Sequence, residues 1–89
     1  MKIQAELSLY PLKTESVEDV VGRFIDELGQ AGISVSPGSM STLLAGECED
    51  VFLAVSQCFN RACRDNEVVL SARFSNACPE NPTLNKQKK

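Results

Sequence analysis

The order of apolar and polar positions along the chain predicts alternating strands and helices. Apolar residues occupy alternate positions from Ile3 to Leu9, which is typical of a half-buried strand over residues 3 to 10. We expect Pro11 to end this strand, because proline cannot donate to the strand ladder. From Val17 to Ala31 the apolar residues recur every three or four positions, which predicts an amphipathic helix.

A hairpin signal follows the first helix. Ile33 and Val35 begin a short second strand, and the dipeptide Pro37-Gly38 is typical of a turn. The return strand is predicted from Ser39 to Glu47. Two adjacent strands joined by so short a turn must run antiparallel.

The second half of the chain repeats the helix and the strand. Glu49 and Asp50 are expected to open a second helix, which Asp65-Asn66 ends. Its apolar stripe includes Cys58 and Cys63, at positions where a small hydrophobic residue would serve. A final strand is predicted from Val68 to Ser75 by strict alternation.

The element order β-α-β-β-α-β predicts an α+β, ferredoxin-like fold. Right-handed crossovers give a four-stranded antiparallel sheet with strand order 4-1-3-2 and both helices on one face. We assign residues 1–79 to this single domain and residues 80–89 to a polar, lysine-ended flexible tail.

This topology leaves the second face of the sheet without a cover from the chain itself. That face is predicted to carry alternate residues of the first and last strands, namely Glu6, Ser8, Tyr10, Val69, Ser71, Arg73 and Ser75. Arg73 is expected to form a cross-strand ion pair with Glu6. A face of such mixed character can be solvated, paired with another subunit or used to hold a ligand.

The charge of the chain narrows the range of partners. The formal net charge is −3, and three lysines lie in the last four residues, so the remaining body is more acidic still. Nucleic-acid binders need a basic surface, so no nucleic-acid partner is expected. The sequence contains no run of about 18 apolar residues, so no membrane span is expected either. These features favour a cytoplasmic protein.

The residues available for chemistry argue against an enzyme. The chain has no histidine, which removes the usual general base for a serine or cysteine nucleophile. Its four cysteines include no CxxC pair, and they are interpreted as structural free thiols, with a metal or disulfide role as the alternative. No catalytic residue, metal ligand or cofactor is therefore assigned.

Three segments together resemble the YkoF-like thiamine/hydroxymethylpyrimidine-binding family. They are the strand at residues 5–12 (AELSLYPL), the hairpin and return strand at residues 38–47 (GSMSTLLAGE), and the closing segment at residues 75–79 (SNACP). The resemblance covers about residues 3 to 79, and it identifies the chain as a single-domain member.

The resemblance implies a ferredoxin-like fold, domains that assemble sheet against sheet, and a pocket for a thiamine-like pyrimidine. It places the ligand role best on the Met40-Ser41-Thr42 strand and on the strand end at Tyr10. With the open-face residues that would contribute a carboxylate or hydroxyls, the candidate ligand-binding set is Glu6, Ser8, Tyr10, Met40, Ser41, Thr42 and Ser75.

The hypothesis from the sequence is a non-enzymatic protein that binds thiamine or a related hydroxymethylpyrimidine as a homodimer or homotetramer, assembled through the open sheet face. The alternative is a structural or regulatory oligomerisation module with no ligand pocket. An acylphosphatase-like hydrolase on the same fold is disfavoured, because the loop at residues 11–16 contains neither glycine nor arginine.

Overall fold

The computed structural model describes residues 1–77, and the predicted order of strands and helices is present in it. The elements are β1 (Lys2–Leu12), α1 (Val17–Gly29), β2 (Ser34–Pro37), β3 (Thr42–Glu47), α2 (Cys48–Asp65) and β4 (Glu67–Ser75). The strands form one sheet in the order β2-β3-β1-β4, with every neighbouring pair antiparallel. The α+β, ferredoxin-like fold class is therefore confirmed. The predicted tail at residues 80–89 lies outside the described residues.

The core forms between one face of the sheet and the two helices. The alternation of β1 sends Ile3, Ala5, Leu7 and Leu9 to this face, where all four are buried. Helix α1 contributes Phe24 and Leu28, of which Leu28 is fully buried. Each of the leucine, isoleucine and phenylalanine side chains among them contributes about 1.5–3 kcal/mol when it leaves water. The burial of one face leaves the other face of β1 to polar residues and Tyr10.

Two predicted strand boundaries are wrong. Strand β1 continues through Pro11, which lies opposite Val68 of β4. Beyond Leu7, β1 pairs only with β4 and no longer with β3. Pro11 lies in this part of the strand, where one side is unpaired and a missing N–H group is tolerated.

The third strand begins at Thr42 rather than at Ser39. The N–H group of Gly38 donates to the backbone oxygen of Ser41 at 2.8 Å, and this contact closes a turn over residues 38–41. Met40 and Ser41 therefore belong to the turn and not to a strand. A Cβ atom at Gly38 would lie 2.9 Å from the same oxygen, so the turn favours glycine by close contact.

The predicted apolar stripe of helix α2 is confirmed in part. Val51, Val55 and Cys58 are buried, whereas Cys63 is exposed, so its assignment to the buried stripe is wrong. The buried stripe of this 18-residue helix continues from Cys58 to Ala62, which packs against the core, and Cys63 lies outside it. Among residues 1–77, neither helix is long and apolar enough to cross a membrane.

Candidate functional site

The face of the sheet that carries no helix presents a mixture of polar and apolar side chains. Glu6, Ser8 and Tyr10 of β1 lie opposite Arg73, Ser71 and Val69 of β4, respectively. Because directly opposed residues of antiparallel strands share a face, all of them lie on this open face, as the alternation predicted. Tyr10 and Leu43 are both 53% exposed.

Glu6 is the centre of a polar cluster on the open face. Its Oε1 atom accepts a hydrogen bond from Arg73 Nη2 at 2.6 Å, and its Oε2 atom accepts one from Ser41 Oγ at 2.9 Å. The predicted ion pair between Glu6 and Arg73 is thus present. The hydrogen bond from Arg73, followed by that from Ser41, lowers the pKa of the Glu6 carboxyl below its ordinary value. The carboxylate is therefore ionised at neutral pH, and both of its oxygens already have partners.

A cavity of about 190 Å³ lies beside this cluster, between the end of β1, the turn before β3 and helix α1. We call it the α1 cavity. It is lined by predicted ligand residues together with further residues of the strand, the turn and the helix: Leu7, Ser8, Leu9, Tyr10, Val21, Phe24, Ile25, Gly38, Ser39, Met40, Ser41 and Thr42. Ser8, Tyr10, Met40, Ser41 and Thr42 are thus brought together, although they come from two distant parts of the chain.

The hydroxyl groups at the α1 cavity differ in their availability. Ser8 Oγ donates to the backbone oxygen of Met40 at 3.2 Å, and Ser41 Oγ donates to Glu6. Both serines therefore use their hydrogen within the protein and retain acceptor lone pairs. The side chain of Thr42, a residue that is 6% exposed, makes no hydrogen bond within residues 1–77, and its hydroxyl oxygen is not sealed from solvent. It can donate and accept.

Ser41 and Thr42 lie on opposite sides of the sheet. Thr42 lies opposite Leu7 on the helix side, while Ser41 reaches Glu6 on the open face. The cavity borders both residues because it lies at the end of the sheet, where the turn wraps around the edge.

The remaining predicted residues, Glu6 and Ser75, line a separate, shallow depression of the surface. This shallow depression of about 400 Å³ lies on the open face and also borders Leu43 and Arg73. Ser75 Oγ accepts a hydrogen bond from the amide of Ala77. The hydrogen bond between Ser41 and Glu6 lies between the depression and the α1 cavity.

The apolar wall of the α1 cavity was not identified as a site from the sequence. Val21, Phe24 and Ile25 fall on the helical stripe of α1, and that pattern indicates core packing. Phe24 is buried, while Val21 and Ile25 are only half-buried. The stripe contains no local signal that distinguishes a side chain facing a cavity from one facing a filled core.

Two observations among the described residues bear on covalent and metal chemistry. Burial raises the pKa of the Cys58 thiol, the opposite of what a thiolate nucleophile needs. Residues 1–77 contain no group of three or more side chains placed to hold a metal ion. The arrangement is suited to holding a small polar ring through hydroxyl groups and an apolar wall.

Solved structures share this fold. A hypothetical protein of Methanocaldococcus jannascii is 25% identical with a TM-score of 0.80, over 97% of this chain and 91% of that chain. A candidate thiamine biosynthesis/salvage protein of Thermotoga maritima is 17% identical with a TM-score of 0.82, over 98% and 99%. A domain of unknown function from Bacillus cereus is 28% identical with a TM-score of 0.74, over 91% and 80%.

No curated protein matches the sequence. The model of the YKOF-related family, however, matches residues 2–81, which include every element of the fold. The resemblance seen in the sequence is thereby confirmed, and the chain belongs to the YKOF-related family.

Proposed function

We propose that this protein binds a small molecule without transforming it, and that the ligand is thiamine or a related hydroxymethylpyrimidine. Membership of the YKOF-related family and the fold shared with the candidate thiamine biosynthesis/salvage protein of Thermotoga maritima support this class of ligand. The single observation that carries the proposal is the α1 cavity, where the unpartnered hydroxyl of Thr42 lies beside an apolar wall.

The size of the α1 cavity favours one ring over a larger ligand. Its volume of about 190 Å³ lies below the range of about 300–1,000 Å³ that holds drug-sized molecules. We therefore place the pyrimidine ring in the cavity. The thiazolium part of thiamine would lie outside it, towards the open face.

The polar groups of the α1 cavity match an aminopyrimidine. Ser8 and Ser41 retain acceptor lone pairs, which suit the amino group of the ligand. Thr42 can donate to a ring nitrogen. The exposed ring of Tyr10 lies at the mouth, where it can stack on the pyrimidine.

The hydrogen bonds that Glu6 already accepts affect how well a positively charged ligand can bind. A thiazolium would have to compete with Arg73 for a carboxylate that already accepts two hydrogen bonds. We therefore expect neutral hydroxymethylpyrimidine to bind at least as tightly as thiamine.

Isothermal titration with hydroxymethylpyrimidine and with thiamine tests the proposal. Thr42→Val removes the free hydroxyl and keeps the side-chain shape, so it is expected to weaken binding by about tenfold, the loss of roughly one hydrogen bond. Thr42→Ser retains the hydroxyl and should bind more tightly than the valine variant. Ser56→Ala removes an exposed hydroxyl from α2, a helix that contributes no residue to the lining of the α1 cavity, and should bind like the wild type.

The outcomes are distinct. Absence of heat and of a thermal shift with both ligands at millimolar concentration would refute pyrimidine binding. Binding that survives Thr42→Val unchanged would refute the α1 cavity as the site. In the first case the alternative function, an oligomerisation module, becomes the better hypothesis.

We further propose that the open face packs against a second copy, which gives a homodimer or a homotetramer. Tyr10, Leu43 and Val69 are each at least half exposed on this face, and an apolar surface of this kind is typical of an interface. Leu43→Glu should lower the mass of the assembly measured by light scattering, and an unchanged mass would contradict this packing.

A further inference from the structure

A second cavity lies between helix α1 and the last turns of helix α2. Its volume is about 200 Å³, and apolar residues from both helices, Val20, Phe24 and Ala62, form part of its lining. Val20 and Phe24 are buried, and Ala62 packs against the core. Of the residues that line this cavity, only Phe24 also lines the α1 cavity, so the two cavities lie on different flanks of α1.

Three arginines line this second cavity, which we call the arginine cavity. Arg23 comes from α1, and Arg61 and Arg64 come from α2. They are three of the four arginines in a chain whose formal net charge is −3. The other cationic side chains within residues 1–77 each form an ion pair with a glutamate, and they are Lys2, Lys13 and Arg73. The positive side chains without an ion-pair partner in this part of the chain are thus gathered at one cavity.

The guanidinium groups of these arginines form no hydrogen bond or ion pair with residues 1–77. Arg23 and Arg61 each have an acidic residue four positions later, Glu27 and Asp65, at a spacing that allows pairing along a helix. In both cases the arginine precedes the acid, which is the less favourable order with respect to the helix dipole. Each guanidinium group therefore keeps its N–H donors available for a ligand.

The acidic residues Glu27 and Asp65 line the same cavity. Glu27 is half-buried and Asp65 is exposed, and neither carboxylate forms an ion pair with an arginine. A carboxylate only accepts hydrogen bonds, whereas a guanidinium group only donates them. The cavity thus offers donors for an anion and acceptors for hydroxyl groups within one small space.

We propose that the arginine cavity binds a phosphate monoester that also carries hydroxyl groups, as a sugar phosphate does. Arginine binds phosphate oxygens through charge-assisted, often bidentate hydrogen bonds. Glu27 and Asp65 accept hydrogen bonds from the hydroxyl groups, and the apolar residues contact the carbon skeleton. The volume of about 200 Å³ suits one small molecule, since drug-sized ligands need about 300–1,000 Å³.

This site is independent of the proposed pyrimidine ligand. Thr42, which carries that proposal, lines the α1 cavity and not the arginine cavity. Loss of pyrimidine binding in Thr42→Val should therefore leave binding of a sugar phosphate unchanged. Either proposal can fail without the other.

Isothermal titration with ribose 5-phosphate, in a buffer free of phosphate, tests the arginine cavity. Arg61→Gln and Arg64→Gln should each weaken binding by about tenfold or more, because each removes a hydrogen bond between charged groups. Both positions are exposed, so the variants should fold like the wild type, which a thermal melt checks. Absence of heat with the wild type at millimolar ligand, or unchanged binding in both variants, would refute the site.

Lys2→Gln is the matched control, since it removes the same charge at the other end of α2. Lys2 pairs with Glu47, which directly precedes this 18-residue helix, whereas Arg61 and Arg64 lie in its last turns. The control should bind ribose 5-phosphate like the wild type. An equal loss in the control would mean that binding follows net charge alone, and would overturn the proposal.

Two simpler probes test the class of ligand. Inorganic phosphate should bind more weakly than ribose 5-phosphate, because it lacks the hydroxyl groups that the carboxylates accept from. Ribose, which lacks the phosphate, should give no heat at the same concentrations. Glu27→Gln should tighten binding of inorganic phosphate, since it removes a repelling charge. Wild-type protein that binds phosphate as tightly as ribose 5-phosphate would refute a phosphate ester as the ligand.

Amide chemical shifts of the wild type locate the site without any variant. Ribose 5-phosphate should move the signals of residues 61–66 and of Arg23 and Glu27, and it should leave that of Thr42 in place. Changes confined to residues of the α1 cavity would overturn the proposal, because the sugar phosphate would then occupy the other site.

Discussion

Replacement of the glycines at positions 38 and 22 by alanine should change stability in opposite directions. At Gly38 an added Cβ would lie 2.9 Å from the backbone oxygen of Ser41, closer than real Cβ contacts come. The same oxygen accepts the Gly38 N–H at 2.8 Å, so it cannot retreat without lengthening that hydrogen bond. At Gly22, inside α1, an added Cβ meets nothing within 4 Å.

The magnitudes follow from these contacts. Overpacking of this kind costs about 1–3 kcal/mol, part of which is the weakened hydrogen bond, worth about 0.5–1.5 kcal/mol. Gly22→Ala should stabilise the protein by about 0.5–1 kcal/mol, because alanine loses less backbone freedom than glycine when a helix forms. For a domain of this size, 1 kcal/mol corresponds to about 4–8 °C in melting temperature.

Urea unfolding followed by circular dichroism measures both changes. The midpoint should fall for Gly38→Ala and rise for Gly22→Ala, with the slope unchanged in each case. Since Ser41 lines the α1 cavity, Gly38→Ala should also weaken ligand binding, whereas Gly22→Ala should not. A Gly38→Ala variant as stable as the wild type would refute the role given to the turn contact.

Three further predictions concern the core, the Glu6 cluster and the cysteines. Leu28→Ala, at a fully buried position, should cost about 2–5 kcal/mol in the free energy of unfolding measured with urea. Arg73→Gln should raise the pKa of Glu6 towards its ordinary value, as a carboxyl NMR titration would measure. Because the pKa of Glu6 is lowered in the folded protein, the ion pair stabilises the fold at pH values above the ordinary glutamate pKa. This stabilisation is lost as the pH falls through the lowered pKa. In native protein Cys63 should be alkylated readily and Cys58 only on unfolding, as peptide mass mapping would show; equal labelling would contradict the burial of Cys58.

The fold could be predicted because each element has its own periodic signal. The strict alternation from Ile3 to Leu9 identifies the central strand and the side of it that is buried. The stripe that includes Phe24 and Leu28 defines the buried side of α1. With the element order known, the right-handed crossover rule leaves this strand order as the natural solution.

The boundaries that were wrong depend on pairing rather than on local pattern. Pro11 is compatible with β1 only because β3 begins at Thr42, opposite Leu7, and does not extend alongside Pro11, which no property of residues 3–11 reveals. Likewise, the sequence places Ser41 in a strand because the return strand is predicted to begin directly after the Pro37-Gly38 turn. The contact between Gly38 and Ser41 places it in a turn instead.

The sequence by itself determined the fold class, the two faces of the sheet and the partnership of Glu6 with Arg73, since these follow from periodicity and strand order. Only the tertiary structure decided that the hydroxyl of Thr42 is free, that Ser41 occupies one oxygen of Glu6, and that the α1 cavity exists at all. The physical reason is that a cavity depends on how completely side chains from separate elements fill the space between them.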